Sequence, residues 1–260
     1  MKNKNLLVFL HENYFIYENV YNLLHEKQPY FIEESLNINE IKKGKIYLLS
    51  HDFIFPIKRK LYYYVSITDD NLTKNELMKH IDAENKYELY SNYNFGENDL
   101  IDKRNTYFIC GNQLEYINTD FVIKRLNEND AYLLDELENE ITSNGFENFE
   151  ILQNIILENT VPVYALLKDN HILSYLKIHL KNIKINGMEV AEHTIYTVEQ
   201  QRKKGYAFLI LNNVISLHYK NTYIIHGTGF NNYASNGLAK KIGMNFITTN
   251  YRYSNYLPKI

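Results

Sequence analysis

The sequence predicts an α+β protein built of two parts. Its 260 residues exceed the commonest size of a single domain. Hydrophobic residues make up 45% of the chain and charged residues 23%, which is typical of a globular protein with a packed core. In the C-terminal part, segments follow the order strand, helix, hairpin, strand, loop, helix. We place the boundary between about Asn105 and Asp120, so that residues 1–115 form an N-terminal α+β domain and residues 119–260 a second domain.

The N-terminal part contains short segments of mixed type. The stretch Asn19–Leu24 is amphipathic, and both Lys45–Leu49 and the aromatic run Lys60–Ile67 have the character of strands. Leu72–Ile81 has the apolar spacing of a helix. Tyr87–Asn105 has no sustained period, so loops are expected there.

The C-terminal part carries clearer periodicities. Helices are predicted from about Asp130, over Phe208–Leu217 and over Asn232–Ile242. The segment Lys168–His171 and the pair Asn186-Gly187 predict tight turns between strands. The predicted strands are Phe121–Leu126, Val163–Leu167, Ile172–Leu180, Glu189–Val198, Tyr223–His226 and Phe246–Tyr253.

Charge and cysteine content narrow the possible functions. The formal net charge of −3 gives no overall attraction to nucleic acid or to an anionic membrane, so neither partner is expected and any phosphate site must be local. The single cysteine, Cys110, excludes an intramolecular disulfide and favours a cytoplasmic location. The apolar run Leu6–Leu10 is too short for a signal-peptide core or a membrane span. The nine histidines lack a zinc-binding spacing, so no metal is expected.

One loop has the features of an anion site. The segment Arg202-Lys203-Lys204-Gly205-Tyr206-Ala207 lies between a predicted strand and a predicted helix. At such a helix start, free N–H groups and the helix dipole both favour an anion. The glycine and the small Ala207 allow close approach of the backbone, and the three cations add weak attraction. A solvated turn is the ordinary alternative for a basic loop with one glycine.

Three blocks of the sequence resemble motifs of the GNAT acetyltransferase family, and along the chain they follow the order of the family's motifs. The block Ile195–Ala207 ends in the family's Q/R-x-x-G-x-G/A pattern. The block Asn232–Met244 resembles N-x-x-A/S-x-x-L-Y-x-K-x-G-F, and Val122–Leu126 before Asn129-Asp130 is similar to the family's opening strand and helix start. The resemblance covers about the last 140 residues. It implies the GNAT fold, a mixed central sheet flanked by helices, here with an N-terminal α+β extension.

Within the family, the chain resembles the two-domain subgroup that contains the zwittermicin A resistance acetyltransferase. The likeness depends on the total length, on Ala239 in place of the tyrosine of many members, and on the strand that leads into Thr197.

The resemblance implies that acetyl-CoA is the cosubstrate. Family members splay two parallel strands apart, and the pantetheine arm bonds to the backbone that this exposes, which here corresponds to about Tyr196–Val198. The pyrophosphate would bind the amides of Arg202–Ala207. The side chain of Asn232 would contact the pantetheine, and Ser235 lies one turn later on the same face. Asn232 is equally suited to cap the helix that it begins.

Transfer to an amine needs a proton acceptor, because an alkylammonium has a pKa of about 10. Glu192 is the expected base, since relatives carry a glutamate near this position. Strand alternation turns adjacent side chains to opposite faces, so one of Glu192 and His193 should face the cleft. His193 is the alternative base, in which case Glu192 is a strand residue that faces solvent. Because Ala239 replaces the usual tyrosine, the proton donor to the thiolate stays open. The alternative donors are Tyr233, Tyr251 and Tyr253.

The expected function is acetyl transfer from coenzyme A to an amine of a small molecule, such as an antibiotic-like compound. One alternative is a coenzyme-binding sensor or interaction protein without turnover. Another is acyl or aminoacyl transfer to a peptide or to a substrate linked to transfer RNA. The N-terminal domain is expected to shape the acceptor site, and the protein to be a monomer or a homodimer.

Overall fold

A computed structural model provides the structure of the 260-residue chain. It describes residues 37–42, 46–53, 59–66, 72–81, 86–96, 99–144 and 148–255. The predicted stretch Asn19–Leu24 lies outside these residues. The described chain forms two compact units, the first comprising residues up to Thr106 with Gly227–Tyr233 and residues from Phe246 onward. The second comprises Tyr107–His226 and Ala234–Asn245. The expected division into residues 1–115 and 119–260 stays a prediction.

The regular elements of the described residues alternate along the chain. The strands are β1 (Asn37–Lys42), β2 (Ile46–Phe53), β3 (Arg59–Ser66), β4 (Tyr87–Ser91), β5 (Leu100–Cys110), β6 (Val122–Arg125), β7 (Val163–Lys168), β8 (His171–Ile185), β9 (Met188–Thr197), β10 (Thr222–Gly229) and β11 (Asn245–Ser254). The α-helices are α1 (Lys74–Met78), α2 (Glu138–Asn144), α3 (Phe149–Glu158), α4 (Tyr206–His218) and α5 (Tyr233–Lys241), with 3₁₀ helices at Gly111–Gln113, Glu128–Leu137 and Glu199–Gln201.

The first unit is a small α+β unit. Its strands β1, β2 and β3 form an antiparallel meander, β4 lies parallel to β3, and β11 pairs antiparallel with β4. Thr73 caps α1 through a bond from Glu76 N to its hydroxyl, and the Glu76 carboxylate accepts from Thr73 N in return. The helix buries Leu77 against a core rich in tyrosine. The predicted strands at β2 and β3 and the predicted helix at α1 are confirmed.

The prediction of loops over Tyr87–Asn105 is wrong, because this segment contains β4 and most of β5. In β4, side chains of both faces are buried, so the sequence lacks the polar and apolar alternation of a half-exposed strand. In β5 the buried polar side chains have partners: Asn105 Oδ1 accepts a bond from Thr249 Oγ1 at 2.9 Å, and Thr106 Oγ1 accepts one from Asn250 at 3.0 Å. A segment rich in polar residues can therefore form a buried strand, because its polar side chains have hydrogen-bond partners in the folded protein.

The second unit is built on a mixed sheet with the strand order β10-β9-β8-β7-β6. Strands β6 to β9 are antiparallel neighbours, whereas β10 lies parallel to β9. One face packs against α4 and α5 through a core that includes Leu211, Val214 and Ala239. The other face packs against α2, α3 and the 3₁₀ helix Glu128–Leu137. The sheet is therefore covered by helices on both faces.

The predicted strands and turns of the C-terminal part are confirmed, and β8 extends further than expected, to Ile185. The predicted helix near Asp130 begins as the 3₁₀ helix Glu128–Leu137 with Asn127 as its N-cap and continues into α2. The helix α3 was not predicted. The helical spacing of its buried apolar residues Phe149, Leu152 and Ile156 could have indicated this helix.

Helix α4 also anchors the segment that follows β5. Asn213 is fully buried, and its side-chain amide accepts a bond from Ile117 N and donates one to Ile117 O, both at 2.8 Å. The neighbouring Asn212 donates to Glu115 O at 2.6 Å. At Gly111 the backbone comes so close to the end of α4 that a Cβ atom would lie 1.9 Å from Tyr219 O. These amides hold the linker where apolar side chains could not.

Candidate active site

The parallel strands β9 and β10 pair over only part of their length. Their ladder runs from Glu189 opposite Thr222 to Glu192 opposite Ile225. Beyond that point β9 continues to Thr197, with β8 still its partner on the other side. The last residues of β9 therefore offer an edge on the side of β10, which is the splay that the sequence resemblance implies.

The backbone groups on this edge follow from the antiparallel pairing with β8. Val198 N donates to Leu173 O at 3.1 Å, and Tyr196 O accepts a bond from Ser174 Oγ at 2.6 Å, so both of these groups point toward β8. Because backbone direction alternates along a strand, the N–H and C=O groups of Ile195 and Thr197 point toward the splayed edge. Of the expected Tyr196–Val198, Thr197 thus has its backbone directed to this edge.

The loop after β9 leads into α4 through two left-handed residues. Lys203 has a φ of 64° and Gly205 a φ of 87°, and α4 begins directly afterwards at Tyr206. Nothing lies within 4 Å of a Cβ atom built on Gly205, so glycine is favoured there by the backbone angle and not by a close neighbour. An α-helix leaves the N–H groups of its first turn without partners inside the helix. Arg202 N already donates to Glu199 O at 3.2 Å, so within the segment Arg202–Ala207 the residues after Arg202 offer N–H donors and a positive helix end.

The cations of this loop are exposed and held by their own neighbours. Arg202 Nε donates to Thr197 O at 3.2 Å, and its guanidinium lies 5.6 Å from the centre of the Tyr196 ring. Lys204 Nζ donates to Gln201 Oε1 at 2.8 Å. Lys203 is exposed. The bonds of Arg202 and Lys204 thus stabilise the conformation of the loop, in addition to any attraction of these side chains for an anion.

Glu140, a residue that the sequence did not indicate, ties α2 to the end of β9. Its Oε1 accepts one bond from the hydroxyl of Tyr196 and another from Glu199 N, both at 2.6 Å. The two donors flank Thr197 in the chain. The carboxylate therefore fixes the course of the backbone at the point where the strand passes into the loop.

Asn232 and Ser235 lie at the start of α5. Asn232 is exposed, precedes the helix directly and donates its backbone N–H to Gly229 O at 3.0 Å; it belongs to the first unit. Ser235 belongs to the second unit and is partly buried. Its hydroxyl lies 2.9 Å from His226 Nε2. Ala239, where the family pattern has tyrosine, is fully buried in the core beneath α4.

The tyrosines considered as proton donors differ in their surroundings. Tyr233 is 82% exposed. Tyr253 is buried in the first unit, where its hydroxyl accepts a bond from Phe95 N at 2.7 Å and donates to Asn94 Oδ1 at 3.3 Å. Tyr251 packs at the border of the same core. The bonds of Tyr253 are those of a structural residue.

Glu192 and His193 point to opposite faces of β9. The Glu192 side chain is 41% exposed, and its Oε2 lies 2.7 Å from Lys181 Nζ. His193 is partly buried and stacks on His226, with ring centres 4.8 Å apart and Nε2 2.9 Å from His226 Nδ1. The other ring nitrogen, His193 Nδ1, is buried and has no hydrogen-bond partner among the described residues.

Both rings are kept neutral by their surroundings. Burial lowers the pKa of His193 well below its usual value, and the neighbouring His226 lowers it further. Burial also lowers the pKa of His226, against a smaller raising effect of its bond to Ser235 O. Sequence reasoning did not find His226, which is the first residue of β10 beyond the ladder and lies in no motif.

The described part of the chain shows neither a cluster of metal-binding side chains nor a helix that could span a membrane. Those residues contain no group of three or more histidine, cysteine, aspartate or glutamate side chains that could hold a metal ion. Among their helices, none has the length and apolar character needed to cross a membrane.

Solved structures with a similar fold include acetyltransferases. An acetyltransferase of the GNAT family from Colwellia psychrerythraea matches with a TM-score of 0.55 and 11% identity, over 93% of this chain and 96% of that chain. A GCN5-related N-acetyltransferase from Sphaerobacter thermophilus matches with a TM-score of 0.51 and 13% identity, over 94% and 86% of the two chains. A functionally unknown conserved protein from Staphylococcus epidermidis matches with a TM-score of 0.54 and 10% identity, over 92% and 96%.

At these identities the similarity shows the fold alone. The chain has the GNAT fold, an α+β arrangement of a mixed sheet flanked by helices, as the sequence predicted. No family model matches the chain, and no curated protein matches it. The resemblance to the zwittermicin A resistance subgroup stays a prediction.

Proposed function

We propose that this protein is an N-acetyltransferase that moves an acetyl group from acetyl-CoA to an amine of a small molecule. The observation that carries the proposal is the early end of the β9–β10 ladder at Glu192, followed along the same strand by a glycine loop that opens α4. The first feature provides a backbone edge for an amide-containing chain. The second provides N–H donors for a pyrophosphate.

The residues of the edge and the loop fit acetyl-CoA in chemistry and in order. The backbone of Ile195 and Thr197 would bond the amides of the pantetheine arm, since it faces the splay. The amides of Arg202–Ala207 would bind the pyrophosphate, and Asn232 and Ser235 would add side-chain contacts at α5. From His193 to Thr197 the strand extends about 13 Å, so a chain bound along it would bring its end to the last ladder pair. Bound there, acetyl-CoA supplies an acetyl group activated as a thioester.

The acceptor must be neutral before its nitrogen can attack. At neutral pH only about one amine in a thousand is uncharged when the pKa of the ammonium is about 10, so a group of the protein has to accept a proton. Glu192 and His193 are the acid–base residues nearest the end of the ladder. A small amine, such as an antibiotic-like compound, is the acceptor that the sequence resemblance favours.

Calorimetric titration with acetyl-CoA tests the coenzyme site. We expect the wild-type protein to bind and Gly205→Glu to lose binding, because the new side chain adds bulk and negative charge to the phosphate loop and is strained at a φ of 87°. Gly187→Glu is the matched control, since Gly187 has a φ of 79°, has equally open surroundings and lies in the turn between β8 and β9. Equal affinity in wild type and Gly205→Glu would refute the assignment.

A second candidate function is a coenzyme-binding sensor without turnover. The observation in its favour is the buried Ala239, which puts an aliphatic side chain where relatives carry the tyrosine that protonates the thiolate. Release of free thiol during incubation with acetyl-CoA and a panel of amines separates the two functions. Turnover above the solution rate supports the transferase, and binding without turnover by any amine supports the sensor.

A further inference from the structure

Three polar residues meet at the point where the β9–β10 ladder ends, and we call them the histidine relay: His193 on β9, His226 on β10 and Ser235 on α5. His193 and His226 are each the first residue beyond the last ladder pair. His193 Nε2 lies 2.9 Å from His226 Nδ1, and His226 Nε2 lies 2.9 Å from Ser235 Oγ and 3.2 Å from Ser235 O. All three belong to the second unit.

The contacts of His226 decide which nitrogens carry protons. Ser235 O is a carbonyl oxygen and can only accept, so His226 Nε2 is the donor in that bond. A neutral His226 that is protonated on Nε2 has its lone pair on Nδ1. The short contact at Nδ1 must then be a bond donated by His193 Nε2–H. A neutral His193 with its proton on Nε2 carries its lone pair on Nδ1.

The opposite arrangement is disfavoured by two contacts. If His226 donated from Nδ1, its Nε2 could accept from the Ser235 hydroxyl at 2.9 Å, but the Nε2 lone pair would also face the lone pairs of Ser235 O at 3.2 Å. His193 would then carry its proton on Nδ1, a buried position where the described residues offer no acceptor. Buried N–H groups without a partner are rarer in proteins than buried acceptors without one. The relay therefore has one preferred direction.

We propose that His226, anchored by Ser235, positions His193 so that its Nδ1 accepts the proton of the attacking amine. The inference rests on the proposed function. As the amine nitrogen forms its bond to the thioester carbonyl carbon, the C–S bond breaks and its electron pair leaves with the thiolate. The proton lost by the nitrogen goes to His193 Nδ1. His193 then has protons on both nitrogens and donates from Nε2 to His226.

The surroundings of the relay suit this role. Among the described residues, no carboxylate forms a hydrogen bond or ion pair with either ring, so both rings stay neutral, and the Nδ1 lone pair of His193 accepts no hydrogen bond from them. The Tyr107 ring lies 6.2 Å from that of His226, and the Tyr107 hydroxyl donates a bond to Asn236 Oδ1. The partly buried Ser235 offers the relay a hydroxyl at its outer end.

The test is ¹⁵N nuclear magnetic resonance of the histidine side chains in the free protein at neutral pH, with His193→Gln and His226→Gln used for assignment. We expect His193 to show the deshielded resonance of an unprotonated nitrogen at Nδ1 and a proton on Nε2. In His226→Gln this single tautomer should give way to a mixture. His171→Gln is the control, since His171 is exposed and bonded to Glu136 at the far end of the β7–β8 hairpin.

Kinetics of the same variants complete the test. His226→Gln should lower kcat by about tenfold, which corresponds to the loss of one positioning hydrogen bond, while the affinity for acetyl-CoA in calorimetry stays that of the wild type. A His193 protonated on Nδ1, in a protein that binds acetyl-CoA and turns over, would overturn this inference alone. An unchanged kcat in His226→Gln would do the same. Absence of acetyl-CoA binding in the wild type would overturn the proposed function, and this inference with it.

Discussion

Two adjacent ionisable residues lie in opposite environments on the two faces of β9. On one face, Glu192 is 41% exposed and forms an ion pair with Lys181 at 2.7 Å. On the other, the partly buried His193 bonds to another histidine, and the loss of solvation lowers its pKa. A change of register by one residue would exchange a solvated charge for a partly buried, neutral ring. The chemistry available at this site is thus decided by strand register.

The strongest test of this difference between the two faces is to replace each residue in turn. For His193→Ala we expect kcat to fall by about a hundredfold, the usual lower range for loss of a general base. For Glu192→Gln we expect a change of less than about fivefold, because an exposed ion pair contributes at most about 1 kcal/mol. Steady-state rates with acetyl-CoA and the best amine, measured from pH 6 to 9, give both values.

The reverse outcome would restore the interpretation that the sequence alone favoured. If Glu192→Gln fell a hundredfold and recovered at high pH, where free amine is plentiful, while His193→Ala kept its turnover, the carboxylate would be the base. The relay would then have a structural role only.

The buried face should also make folding sensitive to acid. The pKa values of His193 and His226 are lowered in the folded protein, so below about pH 6.5 the unfolded chain binds more protons than the folded one. The free energy of unfolding should therefore fall as the pH drops from about 6.5 toward the lowered folded values. Urea unfolding at pH 7.5 and 5.0 measures the loss, which the double variant His193→Gln/His226→Gln should reduce.

His171 provides a control of opposite sign. Its bond to Glu136 raises its pKa, so the small stability that it contributes is present below about pH 6.5 and is lost as the pH rises through the folded value. His171→Gln should therefore slightly enlarge the loss of stability in acid, and an undiminished loss in the double variant would mean that the histidine pair is not its source.

The exposed face should be the least sensitive to substitution. Lys181→Ala removes the partner of Glu192, and we expect the free energy of unfolding to change by no more than about 1 kcal/mol, with a smaller change in high salt. Urea unfolding at low and high salt measures this. A loss of several kcal/mol would mean that the ion pair is not exposed in solution.

The fold of the C-terminal part was predictable because its strands and helices differ in the spacing of their apolar residues along the sequence. Strands β7 to β9 are separated by the polar turns at Asp169 and Asn186, and α4 carries an apolar face that no strand would explain. The segment Tyr87–Asn105 failed because β4 is buried on both faces and its charged Glu88 bonds to Arg252, more than 160 positions away. A single sequence window does not contain that partner.

The candidate site was likewise predictable only where its features are formed by residues that are close together in the sequence. The loop Arg202–Ala207 stands on local chemistry and could be recognised from its residues. Neither Glu140 nor His226 could be, because each acquires its partners only when distant elements meet: Glu140 bonds to Tyr196 and Glu199, and His226 to His193. The sequence favoured Glu192 as the base, with His193 as the alternative, and could not establish the strand register that determines the face that each occupies.

The amides of α4 set an order in which this chain can become folded during its synthesis. Ile117 obtains partners for its backbone N–H and C=O from Asn213, 96 positions later. A ribosome that adds about 5–20 residues per second needs about 5–20 s to make that stretch. During this time the segment after β5 lacks the helix that holds it. A segment translated in the first half of the chain thus becomes native only after most of the second half has been made, and until then it depends on water or a chaperone for its bonds.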